Sequence, residues 1–321
     1  MPTQFTIAIP THDRRETVLL AARSALEQTR PPQQVLALCD GCTDGTADAL
    51  RGLGSTCLDA LELPKAPGYG YEHRNRSLEV ARGDAILWLG DDDLLMPDHL
   101  ERIGELWDTG RVDLVQSDGV VVAPDDSLEW FGSDWSLPVN RVRLASGNSN
   151  PMSSVSLRVD MASAIGGWNA ELPRAADWDL WQRAVAAGGR SARSPEPTVL
   201  HFRATDRDQA WALRVGQNTA WLDRLRDPDR RAELRIALRL TEAERASRIE
   251  QHAAEIEDYA NDLRHALDDA LRHTLEVREY AARIDAQRAA AEVTLARIYT
   301  GGWWRLRSKL LPLLRLLGRD S

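Results

Sequence analysis

The sequence predicts an α/β domain with a mostly parallel sheet, followed by a long α-helical segment. Through residue 205, short apolar runs of strand length alternate with stretches of helical periodicity. Those runs end in turns rich in Asp, Gly and Thr. From Pro228 to Ile298 no Gly and no second Pro interrupts the chain. At 321 residues, 43% apolar and 28% charged, the chain is long enough for one full globular domain plus a further element.

Phe5 to Pro10 reads as the first strand, followed by a polar turn and a helix on which Val18, Ala22, Ala25 and Leu26 recur. Gln28-Thr29-Arg30-Pro31-Pro32 stops it, and Val35 to Cys39 forms a second strand ending in Asp40-Gly-Cys-Thr-Asp-Gly-Thr46. Strand, helix, strand with short polar turns is the unit of a parallel sheet. A glycine-rich loop then gives way to a helix bearing Arg74 and Arg76. The run Ala85 to Leu89 ends in Gly90-Asp91-Asp92-Asp93, and Pro97 opens a helix with Leu100, Ile103 and Leu106 on one face. Adjacent carboxylates at the carboxyl end of a strand repel one another unless a cation sits between them, and in open α/β sheets this edge binds ligands. Val112 to Val122 reads as one or two strands, Thr198 to Leu200 as another, and a helix begins near Ala175.

A net charge of −9 argues against a nucleic-acid polymer as partner. Three cysteines, Cys39, Cys42 and Cys57, are an odd number that argues against a disulfide framework. Cys39-x-x-Cys42 has the spacing of a redox or zinc pair, but no second pair completes a zinc site, so two packed thiols are expected. With no leader and no uncharged apolar run of membrane-spanning length, the sequence reads as cytoplasmic.

Ile-Pro-Thr-His-Asp-Arg at 9 to 14, Gln28-Thr29, Asp40 to Thr46, Arg74-Asn75-Arg76, Leu89 to Asp93 and Asp177-Trp-Asp-Leu-Trp181 stand in an order that resembles family 2 glycosyltransferases. The resemblance covers residues 5 to 205. It implies a GT-A fold, Rossmann-like, that takes a nucleotide-diphosphate sugar and transfers the sugar with inversion. There are departures: Cys39-Asp40 stands for the usual Asp pair, Cys42 for the following Ser, and Gly90 for the first acid of Asp-x-Asp-Asp.

Such a donor needs its base and ribose held, its diphosphate neutralised and a base for the attacking hydroxyl. Asp40 can accept the N3 hydrogen of a uracil or thymine ring, and Thr11 can add a contact beside it; the resemblance places both in the nucleotide pocket. Arg74 matches the family's Arg-Asn and suits a diphosphate or a base edge. Mg2+ or Mn2+ prefers oxygen ligands together with substrate phosphates, which assigns Asp92 and Asp93 to the metal and Asp91 to the ribose. His201 is a further candidate metal ligand. By resemblance Asp177, at a helix N-terminus, is the base that takes the acceptor proton. The implied acceptor is a hydroxyl of a cell-surface glycan or lipid-linked intermediate, within polysaccharide biosynthesis.

Four segments are expected: a transferase domain over 1–205, a helical extension over 206–240, a coiled coil over 241–298 and a basic amphipathic tail over 299–321. Ile249, Ile256, Leu263, Ala270, Val277, Ile284, Ala291 and Ile298 recur every seven residues, and such a stripe needs a partner helix, most simply a second copy of the chain. The tail combines Trp303, Trp304, many leucines, Arg305, Arg307 and Lys309, which suits peripheral contact with an anionic membrane or docking on a protein. Two other readings remain open from the residues: a nucleotidyltransferase-like enzyme, and a coiled-coil scaffold with a degenerate nucleotide pocket.

Overall fold

The computed structural model describes residues 1–202 and 210–300, together with 305, 308 and 309. It divides into two compact units, Met1–Glu242 and Ala243–Ser321. In the first unit, β1 (Phe5–Thr11), β2 (Gln34–Asp40), β3 (Leu58–Leu63) and β4 (Ala85–Trp88) form a parallel half-sheet in the order β3-β2-β1-β4. Beyond β4 the expectation of a mostly parallel sheet gives way to mixed pairing. β8 (Val155–Arg158) runs antiparallel to both β4 and β6 (Leu114–Val122), and β9 (Ser191–Phe202) runs parallel to β6. Two short strands, β5 (Leu94–Leu95) on β9 and β7 (Leu128–Phe131) on β6, pair antiparallel. Of these antiparallel pairs only β6 and β7 are joined directly, by a short hairpin turn.

Period-two alternation sorts each parallel strand between two cores. Phe5, Ile7 and Ile9, with Ala85, Leu87 and Leu89, face a layer built by α1 (Arg15–Leu26), α2 (Thr46–Arg51) and α4 (His99–Trp107). Ala8, Ile86 and Trp88 face the opposite layer, where α3 (Tyr71–Val80), α5 (Pro138–Leu144), α6 (Val159–Ala164) and α7 (Ala176–Ala186) contribute Tyr71, Leu144, Ala162 and Trp181. Burial of both faces explains why β2 reads as an unbroken apolar run.

The helical extension is part of this unit. From α8 (Ala210–Arg226), Trp221, Leu222 and Leu225 are buried, as are Leu234 and Leu238 in the first turns of α9 (Pro228–Thr300). They join Leu20, Leu94, Val120, Leu200 and Phe202 in a third apolar cluster. Within the second unit, Leu267, Val277, Ile284 and Leu295 of α9 are exposed. The heptad residues Ile249, Ile256, Leu263 and Ile298, and nearly all of the tail, lie outside the described residues or side chains. Among the described residues, no helix is long and apolar enough to cross a membrane.

Candidate active site

The chain leaves β1 for β2 and β3 on one side, then returns to β4 on the other. That reversal opens a crevice at the carboxyl ends of β1 and β4, where an open α/β sheet takes its ligand. A solvent-open cleft of about 230 Å³ lies there, lined by Thr11, Arg14, Asp40, Lys65, Arg74 and Asp91 among others.

Asp40 closes β2 at 6% exposure, with Oδ1 accepting the Ala66 N–H at 2.6 Å and Oδ2 accepting Lys65 Nζ at 2.5 Å. His73 Nε2 stands 3.3 Å from Oδ1. Two glycines let the loops close on this acid. Gly41 has φ +64°, and a Cβ there would lie 2.6 Å from Lys65 Cβ; Gly70 has φ +68°, and a Cβ would lie 2.9 Å from Asp40 Oδ2. Thr11 is buried beside them at the end of β1.

Arg74, on α3, is held by aromatic faces, its guanidinium carbon 4.7 Å from the Tyr71 ring centre and 4.9 Å from that of Trp168. Tyr71 and Trp168 themselves stack at 5.8 Å. Burial lowers the Arg74 pKa, against which Tyr71, Asp177 and Asp91 act to keep it charged. Its buried Nε has no hydrogen-bond partner among the described residues, a donor left for a ligand.

The three acids after β4 have different nearest basic partners. Asp91 accepts Arg14 Nη1 at 2.8 Å, and burial pushes its carboxyl up to about 6 against the pull of Arg14. Asp92 accepts Arg214 Nη1 from α8 at 2.5 Å and lies 3.8 Å from Arg14. Asp93, 3% exposed, accepts the Ser153 hydroxyl and the Phe202 N–H, and lies 3.0 Å from His201 Nδ1. Asp93 raises the His201 pKa, with burial opposing.

The sequence assigned Asp92, Asp93 and His201 to a metal. The structure brings Asp93 and His201 together, but among the described residues the ligand atoms of these three do not form a set within 4.8 Å of one another. The donors nonetheless fit an oxygen-seeking divalent ion that takes one or two protein ligands and completes its shell with substrate phosphates. An imidazole fixed through Nδ1 by a carboxylate presents Nε2 as a metal ligand does. Arg214 is the competitor on Asp92.

Asp177 lies in the first turn of α7, after Ala175 at φ +58°. Burial raises its pKa, opposed by the Trp178 N–H, Arg74 and Asn148; Asn148 Nδ2 donates to Oδ2 at 3.0 Å. Arg74 therefore links Asp177 and Asp91 electrostatically, and the late acid shares the cleft's charge system with the early ones. Asp179, Trp181 and Arg183 do other work. Trp181 is core, while Arg183 pairs with Asp179 at 2.7 Å and donates to the carbonyls of Ile165 and Gly167 at 2.6 Å, fixing the turn before α7.

Arg14, Lys65, Ser153, Asn148 and Arg214 escaped the sequence reading. Arg14 stood inside a quoted motif without an assigned role; Lys65, Asn148 and Ser153 lie in loop or single-turn segments to which the sequence reading assigned no such role, and Arg214 reaches the site from α8.

A crevice of this topology, with Asp40 at the end of β2, Asp91 to Asp93 after β4 and Asp177 at the head of α7, is that of a GT-A fold. Residues 6–159 match the model described as Glycosyl transferase family 2, and this segment belongs to that family. The uncharacterized glycosyltransferase YwdF of Bacillus subtilis (strain 168) is 25% identical over 240 residues, which cover 72% of this chain and 86% of that one. The uncharacterized protein MT1568 of Mycobacterium tuberculosis (strain CDC 1551 / Oshkosh) is also 25% identical over 240 residues, covering 65% and 71%. The crystal structure of S. aureus TarS 1–349 in complex with UDP-GlcNAc superposes with a TM-score of 0.53 at 16% identity, covering 64% of this chain and 60% of that one. The complex of the same protein with UDP gives 0.52 at 15%, covering 69% and 64%. The chain thus spans about three fifths of that structure's length, and the likeness shows the fold.

Proposed function

We propose that this glycosyltransferase inverts the anomeric carbon and uses Mg2+ or Mn2+ to move a hexosyl or related sugar from a nucleoside-diphosphate donor to a hydroxyl. The observation that carries it is one cleft lined by Asp40, Arg74 and Asp91, with Asp177 acting electrostatically on Arg74. In this reading Asp40 and Thr11 hold the base, Asp91 meets the ribose and Arg74 the diphosphate. Asp93 and His201 would hold the metal, with Asp92 joining once Arg214 releases it. When bound, the ion offsets the charge that develops on the departing nucleoside diphosphate. Asp177 takes the acceptor proton, and its raised pKa makes it a stronger base than an exposed carboxylate. We further propose a glycan or lipid-linked acceptor, self-association through 241–298, and peripheral membrane contact through 299–321 that would bring the site near such an acceptor.

The test is Asp177→Asn, a substitution that keeps shape and removes the base. Donor binding, followed by thermal shift with divalent metal, is expected to persist, while transfer drops by at least about a hundredfold. Full turnover in the variant would overturn the assignment and favour a nucleotidyl-transfer chemistry that has no need of this acid.

A further inference from the structure

The Cys-x-x-Cys spacing at 39 to 42 found no second cysteine pair in the sequence, but the fold supplies other ligands. His12 and Asp13, in the turn after β1, come beside Cys42 in the turn after β2. One ligand atom from each lies within 4.8 Å of the other two, the only such trio among the described residues. We propose that His12, Asp13 and Cys42 bind a zinc-class transition-metal ion on the wall of the donor cleft.

Two hydrogen bonds outside the trio orient its members as metal ligands are oriented. His12 Nδ1 lies 2.7 Å from the Asp40 carbonyl, so it carries the hydrogen and leaves the lone pair on Nε2. That Nε2 is 4.0 Å from Asp13 Oδ2. The Thr43 N–H donates to Asp13 Oδ1 at 2.6 Å, which anchors the carboxylate. Cys42 directs its thiol at the Thr11 carbonyl, 3.6 Å away. Around a tetrahedral ion with bonds of about 2.0 to 2.3 Å, neighbouring ligand atoms stand roughly 3.3 to 3.8 Å apart, so side-chain movements of about 1 Å close the set and a water fills the fourth position. Sulfur with imidazole selects zinc-class ions over magnesium. On binding, the Cys42 S–H bond breaks, its proton passes to solvent and a metal–sulfur bond forms. Cys39 stays out: its buried sulfur is not among the ligand atoms that lie within 4.8 Å of one another.

The ion would clip the turn after β1 to the turn after β2. His12 itself lines the cleft and holds the backbone of Asp40, so the clip would stiffen one wall of the nucleotide pocket. This site is separate from the ion assigned to Asp93 and His201, which has no sulfur ligand.

The experiment is titration of the full chain with Co2+, whose thiolate charge-transfer absorption reports sulfur ligation. One equivalent is expected to develop that band, Zn2+ to displace it, millimolar Mg2+ to leave it unchanged, and Zn2+ alone to raise the melting temperature. Cys42→Ser should abolish the band, His12→Gln should weaken Co2+ binding by at least about tenfold, and Cys57→Ser should retain both. Metal-free melting temperatures and circular dichroism matching the wild type certify the folds of the variants. No thiolate band in the wild type, or an undiminished band in Cys42→Ser, would overturn the proposal. Either result leaves sugar transfer untouched, since the readout is independent of turnover.

Discussion

Asp91, Asp92 and Asp93 are neighbours in the chain, yet their nearest basic partners differ: Arg14, Arg214 and the His201 imidazole, with Arg14 also near Asp92. Local sequence set their spacing, and the surrounding elements set their roles. The same logic governs Asp177, whose basicity reflects burial on one side and the donors Trp178 N–H, Arg74 and Asn148 on the other. An enzyme that needs Asp177 ionised loses activity as pH falls through its raised pKa. Removing Asn148 deletes one donor that favours the ionised form, so Asn148→Ala is expected to move the acid limb of kcat/KM to higher pH. It should also lower kcat/KM at neutral pH by about fivefold, a modest loss because this hydrogen bond is exposed. A pH–rate profile checks both, and an unmoved limb would separate Asn148 from the base.

Between elements, a second acid does a purely structural task. Asp113 precedes β6 and draws in the residues that end β8 and precede β9. It accepts Arg190 Nε at 2.8 Å, Arg190 Nη2 at 2.9 Å and the Arg190 N–H at 3.1 Å, with Arg158 Nε at 3.3 Å. Hydrogen bonding from Arg190 leads the effects that hold its carboxyl down at about 2. A depressed carboxylate pKa contributes stability that is present above the ordinary value near 4 and lost as pH falls toward 2. Asp113→Asn is expected to cost on the order of 1 kcal/mol at pH 7, reduced from the full shift because Arg190 is more than half exposed. Its stability curve should be flatter than the wild type between pH 4 and 2, measured by urea unfolding. The joint joins strands in mixed pairing that sequence periodicity left as one or two strands.

At the scale of the molecule, two units obey different rules. The first is held by three apolar clusters, and its α8 and first α9 turns close one of them. In the second, Leu267, Val277, Ile284 and Leu295 stand exposed at heptad spacings on a single helix. An apolar stripe of that kind is stable against a partner helix. The full chain is therefore expected to sediment as a dimer or higher species, and Val277→Asp with Ile284→Asp to shift it toward monomer without loss of transfer per active site. Analytical ultracentrifugation decides it, and a wild type that sediments as a monomer at all concentrations would remove the coiled-coil proposal.

The sequence by itself determined β1, β2 and β4 of the parallel half-sheet, because these strands are buried apolar runs; β3, only half-buried and carrying Asp59 and Glu62, gave no such signal. It also singled out Asp40, Arg74 and Asp91 as candidates, which the parallel half-sheet gathers around one cleft, since strand ends and helix starts are visible locally. Only the tertiary structure decided which charge each acid meets, that Arg214 reaches Asp92 from α8, and that His12 and Asp13 approach Cys42. Those pairings join residues from separate segments, and no local periodicity records a contact made through the fold.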